Sequence, residues 1–130
     1  MNKSTELADR LEREYQALIR LFTQFCQQAA PLADRYQFFG WPDYEDAPAQ
    51  SRLFTLLGEE RSLELHCHPA AAGELTGHIK VRDAQGQVHA ALTFQPSGQL
   101  LLETGNLLDD PPALLLRLLL GAVYHDQPKG

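Results

Sequence analysis

Regular alternation of apolar and polar residues between positions 51 and 104 is the sequence feature that most limits how this chain can fold. A period of two places successive side chains on opposite faces of an extended strand. The segments with this pattern are 52–57, 62–68, 74–82, 87–95 and 99–104. They predict an antiparallel meander of four or five strands, with one apolar face that another element must cover.

The loops between these segments support the same reading. Side chains that oppose each other must share a face, so each loop must be odd or even in length according to the strands it joins. Phe94 and Leu100 require an odd loop, and Pro96-Ser97-Gly98 supplies three residues, with Gly98 able to take a positive φ. The loops predicted on the same principle are 58–61, 70–72 and 83–86.

These loop assignments also predict a register for the sheet. They place three pairs opposite one another: Leu56 with Leu63, Cys67 with Leu75, and Val81 with Val88. Gly77 falls in the middle of an inward-facing strand, where a bulky neighbour can lean over the missing side chain.

A long helix is predicted over residues 4–30, with Ser4 as its cap. Its apolar residues recur at helical spacing at Leu7, Leu11, Leu18, Phe22, Phe25 and Ala29. The apolar stripe widens from Leu18 onward, where Ile19, Leu21 and Cys26 join it. A stripe wider than one face predicts contact on two sides, with the sheet and with either the C-terminal helix or a second subunit.

A second helix is predicted over residues 111–124, after an acidic cap at Asp109-Asp110 and two prolines in the first turn. Leucines surround its axis and Arg117 is its single charge, so this helix must be buried on nearly all sides. Self-association could cover what the sheet and the first helix leave exposed. We therefore predict one α+β domain over residues 1–130, with both helices packed on one face of the sheet.

Composition and charge exclude several classes of function. The chain of 130 residues has a formal net charge of −6, which disfavours nucleic acid because that affinity comes largely from basic side chains. The apolar C-terminal run is too short to span a bilayer, and no export signal is evident at the N-terminus. Cys26 and Cys67 are expected to be buried thiols rather than a disulfide. A cytoplasmic protein without a cofactor or membrane contact is expected.

Aromatic and acidic residues are concentrated in the predicted loop 36–50. Loops often carry function, and Trp and Tyr are enriched where proteins bind one another. The predicted partner-binding residues are the aromatic anchors Phe39, Trp41 and Tyr44 and the acidic rim Asp43, Glu45 and Asp46. The acidic rim would favour a basic partner. In the alternative interpretation, the loop is a lid whose aromatic side chains plug one end of the core.

Histidines collect on the outer face of the predicted sheet. His66 and His68 lie two residues apart on one strand, and the predicted register places Glu64 opposite His78 and Lys80 opposite His89. Two histidines at this spacing can share a metal ion with a third ligand, either Glu64 or His78. The alternative interpretation is a solvated sheet face that happens to contain histidines.

Recognised catalytic motifs are missing from the sequence. No serine lies in a nucleophile-elbow context, and no glycine-rich loop could cradle a phosphate. The overall order of elements is similar to that of many secretion chaperones, immunity proteins and adaptors. We predict a non-catalytic protein-binding module that self-associates as a dimer. The alternatives are a metal-binding protein or metal-dependent enzyme, and a small-molecule binder with a pocket between sheet and helices.

Overall fold

The computed structural model describes residues 2–44, 48–71 and 73–124, and it confirms the α+β fold. Its elements are α1 (Lys3–Ala29), a 3₁₀ turn (Ala30–Asp34), β1 (Phe39–Gly40), β2 (Ser51–Leu56), β3 (Glu59–Pro69), β4 (Leu75–Asp83), β5 (Val88–Phe94) and α2 (Pro111–Tyr124). The strands form one antiparallel sheet in the order β1-β2-β3-β4-β5. The predicted meander is therefore confirmed.

One of the five predicted strands, segment 99–104, is not a strand of the sheet. Segment 99–104 makes one isolated bridge to β5, between Leu100 and Phe94, and a second isolated bridge, between Gln99 and Asn106, where the chain folds back. Leu102 has a φ of 67°, which is incompatible with an extended strand and ends the pairing. The sheet still has five strands because β1, which lies inside the predicted loop 36–50, pairs with β2.

The predicted faces are correct except at the bulge in β5, but the predicted registers are displaced by even numbers of residues. Leu56 lies opposite Glu59 rather than Leu63, because the hairpin turn contains only Leu57 and Gly58, with φ values of 53° and 79°. Two positive φ values are typical of the type I′ turn, which matches the twist of the strands. A displacement by an even number leaves every side chain on its own face.

The next two registers differ in the same way. Cys67 lies opposite Gly77 rather than Leu75. Val81 lies opposite Ala90 rather than Val88. A bulge follows, so that Val88 lies opposite Arg82, a residue of the outer face, and not on the predicted inner face. The predicted three-residue turn before Gln99 is confirmed, with Gly98 at a φ of 91°.

Both helices cover the inner face of the sheet, as predicted. α1 contacts β3 and β4, and α2 contacts β4, β5 and α1. The largest fully buried side chains are Phe22, Phe25, Phe54, Phe94, Leu18, Leu32, Leu63, Ile79, Leu107, Leu115, Leu119 and Val81. They form a single cluster between the sheet and the helices.

Local capping explains where the helices begin. The side chain of Asn2, rather than that of Ser4, accepts a hydrogen bond from the Thr5 N–H and caps α1. The carboxylate of Asp110 accepts a hydrogen bond from the Ala113 N–H, and α2 has the predicted bounds. No helix within the described residues is long and apolar enough to cross a membrane.

Both cysteines are free thiols. Cys26 is buried, as predicted, and burial raises the pKa of its thiol to about 12. Cys67 is only half-buried, and burial raises its pKa as well. Neither thiol is therefore poised as a nucleophile near neutral pH.

Candidate functional site

Phe39 belongs to the core rather than to a binding surface. It pairs with Leu56 in the sheet, and its ring lies edge-on to Phe54 with 5.6 Å between the ring centres. Only 2% of the residue is exposed. This part of the loop therefore acts as the predicted lid, and Phe39 supports the surface from below.

Trp41 and Tyr44 lie above this support. Trp41 is half-buried and stacks on Phe54 at 5.9 Å, with Phe39 at 5.8 Å and Tyr44 edge-on at 5.6 Å. Tyr44 is 38% exposed. The guanidinium of Arg52 lies over the Tyr44 ring, 4.5 Å from its centre. These contacts hold both rings at the surface in defined orientations.

Pro42 explains why the chain leaves the sheet here. Gly40 lies opposite Thr55, so a continued register would place Pro42 beside Leu53. Proline has no N–H to donate to a neighbouring strand. The hydroxyl of Tyr44 donates to the Leu53 carbonyl instead. The loop thereby satisfies the edge of β2 with a side chain rather than with another strand.

We define the aromatic surface as Trp41, Pro42, Tyr44 and Leu53. Leu53 is 52% exposed, and an open depression of about 520 Å³ lies between Trp41, Pro42 and Leu53. Leu53 alternates with the inward-facing Phe54 and Leu56 in the predicted strand 52–57, but it was not among the predicted binding residues. An apolar side chain on an outward strand position was the signal that could have found it.

Acidic side chains border the aromatic surface. Asp43 and Glu60 are both exposed, and Glu60 lines the depression beside Leu53. Two other predicted rim residues, Glu45 and Asp46, lie outside the residues that the structure describes. The aromatic surface is thus bordered by the acidic side chains of Asp43 and Glu60 and by the guanidinium of Arg52.

A pocket for a small molecule between sheet and helices has little support. The interior is filled by the buried side chains listed above. A depression of about 210 Å³ lies between the end of α1 and the aromatic loop, with Cys26, Ala30 and Arg52 in its lining. This volume is smaller than the roughly 300–1,000 Å³ of typical ligand pockets.

The histidine face differs from its prediction because the register of β3 and β4 is displaced. His66, rather than Glu64, lies opposite His78, and Glu64 lies opposite Lys80. Lys80 faces Ala91 on β5, not His89. The rings of His68 and His78 meet edge-on with 5.1 Å between their centres.

Side chains of the sheet itself engage these histidines. Nε2 of His66 lies 2.9 Å from Oε1 of Glu64. The two ring nitrogens of His78 lie 3.1 and 3.3 Å from the hydroxyls of Thr76 and Thr93. Within the described residues, no group of three His, Cys, Asp or Glu side chains is arranged to hold a metal ion. The geometry therefore does not favour the alternative of a metal site at His66, His68 and His78.

The free energy of unfolding is expected to be lower at about pH 5.5 than at about pH 7.5, because His78 resists protonation in the folded state. Burial, followed by the charges of His68, Lys80 and His66, holds the pKa of His78 below its usual 6.5. The unfolded chain then binds more protons than the folded one, so stability is retained above pH 6.5 and lost as the pH falls through the folded-state value.

His78→Gln should make this pH dependence shallower, because glutamine can bond the same hydroxyls but does not titrate. Urea unfolding of both proteins at the two pH values measures the difference. Equal losses in the wild type and the variant would contradict the role of His78.

Comparison of the chain with protein-family models, curated proteins and solved structures found no match.

Proposed function

We propose that the chain is a non-catalytic protein-binding module that captures a basic partner through the aromatic surface and also associates with itself. One observation carries the proposal: Trp41, Tyr44 and Leu53 form a continuous accessible apolar area beside the acidic side chains of Asp43 and Glu60. Hot spots of protein interfaces combine such aromatic anchors with a polar rim.

The chemistry of the surface suggests what the partner presents. Arg52 lies over the Tyr44 ring, which illustrates that an aromatic face in this loop accepts a guanidinium group. A partner arginine or lysine beside an apolar side chain could contact Trp41 and enter the depression next to Leu53. Asp43 and Glu60 would attract its charge.

Charge supports the same class of partner. The chain carries a formal net charge of −6, and Glu45 and Asp46 follow Asp43 and Tyr44 in the sequence. An acidic protein attracts basic partners over long range and accelerates their association, and added salt weakens this effect. We propose that this capture takes place in the cytoplasm.

Trp41→Ala is expected to weaken capture of the basic partner at least about tenfold, since truncation of an aromatic hot spot costs on the order of 2 kcal/mol. The test is affinity capture from the native cell with the wild type and the variant as bait, followed by titration of each captured protein. Trp41 is the single tryptophan, so its fluorescence also reports binding to the wild type directly.

Tyr124→Ala is the matched control, because Tyr124 is an exposed aromatic residue, at 57%, on the far end of α2. It should leave capture unchanged. The proposal requires that the captured protein is basic, that binding weakens with salt, and that only the Trp41 variant loses it. Equal capture by the wild type and the Trp41 variant would refute the proposal.

A further inference from the structure

The apolar stripe of α1 continues beyond the core that it covers. At 3.6 residues per turn, 18 residues make five whole turns, so Leu7 points in the same direction as Phe25, and Leu11 in the same direction as Ala29. Phe25 and Ala29 are fully buried. Leu7 and Leu11 are 52% and 53% exposed. The same helical face is therefore buried at one end and exposed at the other.

The sheet ends before the stripe does. The guanidinium of Arg10 donates to the Gly73 carbonyl at 3.0 Å, and the Leu75 N–H donates to the Glu14 carboxylate at 3.1 Å. Both contacts lie at the turn between β3 and β4. Residues 3–13 are all exposed, so the first turns of α1 project past this turn without cover from the rest of the described chain. An isolated helical segment of this length is marginally stable in water.

Charge indicates what covers the projecting stripe. A second copy of a chain with a net charge of −6 is repelled unless the contact places opposite charges together. Lys3 and Glu14 are 11 residues apart, which places them within about 20° of each other on one flank of the stripe. The Glu14 side chain, which already pairs with Arg10 at 3.9 Å, remains 19% exposed. The opposite flank carries Ser4 and Ala8, which are small and uncharged.

This arrangement is self-complementary when two such helices pack antiparallel. If Leu7 packs against the partner's Leu11, then Lys3 lies near the partner's Glu14. Two-fold symmetry repeats both contacts, as expected for an isologous interface. The small residues on the other flank allow the helices to approach closely.

We propose that a second copy of this chain docks antiparallel along the first three turns of α1, with Leu7 and Leu11 at its centre and reciprocal pairs between Lys3 and Glu14. The inference deepens the self-association included in the proposed function, and it uses a surface separate from the aromatic surface.

Sedimentation equilibrium at micromolar to millimolar concentration tests the inference. The wild type should dimerise, and Leu11→Glu should raise the dimer dissociation constant at least about tenfold, because it buries an unpaired charge in the contact. Since Leu11 is half-exposed in the single chain, its substitution should leave the circular dichroism spectrum unchanged. A monomeric wild type, or an unaffected Leu11 variant, would overturn the inference.

A charge exchange tests the antiparallel geometry. Lys3→Glu and Glu14→Lys should each weaken self-association, because each places like charges together. Glu14→Lys also removes the contacts with the Leu75 N–H and Arg10, so its urea unfolding is measured beside that of Lys3→Glu. In an equimolar mixture the two variants should form a heterodimer, because both ion pairs are then restored. Failure of the mixture to associate more tightly than either variant alone would refute the antiparallel register.

Leu53→Glu separates this inference from the proposed function. Leu53 is as exposed as Leu7, at 52%, but belongs to the aromatic surface. The Leu53 variant should remain dimeric and lose capture of the basic partner. The Leu11 variant should become monomeric, and each single chain should bind the basic partner with the affinity of a wild-type chain. Dissociation of the dimer by Leu53→Glu, and not by Leu11→Glu, would move self-association to the aromatic surface and overturn the inference.

Discussion

Gly77→Ala is expected to lower the free energy of unfolding by about 2 kcal/mol, which is typical of overpacking in a filled core. A Cβ at this position would lie 2.7 Å from two ring atoms of Phe94 and 3.2 Å from a methyl carbon of Leu18. Phe94 and Leu18 are both fully buried, so neither can move aside freely. The sequence predicted this arrangement when it placed a bulky neighbour over Gly77.

The expected loss of stability in Gly77→Ala is opposite in sign to the usual effect of replacing glycine with alanine. Alanine in place of glycine normally stabilises a regular element, because it restricts the unfolded chain. Gly121→Ala is the matched control: it lies in α2, and among the described residues its added Cβ would meet only Ala90 Cβ, at 3.8 Å. The control should gain roughly 0.5–1 kcal/mol.

Phe94→Leu should rescue the alanine at position 77. Phe94→Leu alone should lower stability because it loses part of the core contact. In the double variant, the smaller leucine leaves room for the methyl group of the alanine at position 77. Urea unfolding of the two single variants and the double variant therefore gives a favourable coupling energy. Wild-type stability in Gly77→Ala would show that the core is loosely packed at this point.

Phe39→Ala is expected to lower the free energy of unfolding by about 3–5 kcal/mol, the usual cost of removing a buried phenylalanine side chain. Its ring contacts Phe54 and supports Trp41 from below. The cavity would open at the end of the sheet, where β1 is only two residues long and pairs only with β2. Partner capture should then fail through unfolding of the loop.

Comparison with Trp41→Ala separates loss of capture through unfolding from loss of a direct contact with the partner. Trp41 is half-buried, so its truncation should lower the free energy of unfolding less than truncation of Phe39 does. When capture is compared on folded protein alone, the Trp41 variant should lose more of it than the Phe39 variant. Thermal unfolding together with capture measured on folded protein separates the two effects. A Phe39 variant as stable as the wild type would contradict the lid role, and loss of folding in the Trp41 variant would show that the whole loop is structural.

Element types and side-chain faces could be predicted because their signals are local. Alternation identified four of the five strands, and Asp110 with the two prolines identified the start of α2. Parity of the loops placed Leu63, Ile79 and Phe94 on the inner face, where the structure buries them. An assignment that put one strand's apolar residues on the wrong face would require a loop of the wrong parity, so the rule would reject it.

The registers and the candidate site could not be predicted in the same way. Pairings that differ by two or four residues leave every face unchanged, so parity cannot distinguish Leu56 opposite Leu63 from Leu56 opposite Glu59. The histidine pairs changed for this reason. The two-residue strand β1 was missed because it is too short to show a period.

The amino-acid sequence by itself determined which residues are apolar on which face of each helix and strand, since this depends only on the repeat of the backbone. Only the tertiary structure decided where that apolar surface is covered. Leu11 and Ala29 point the same way along α1, yet one is half-exposed and the other buried. The difference arises because the sheet beneath the helix ends at the turn between β3 and β4, and the length of a sheet depends on pairings between distant segments.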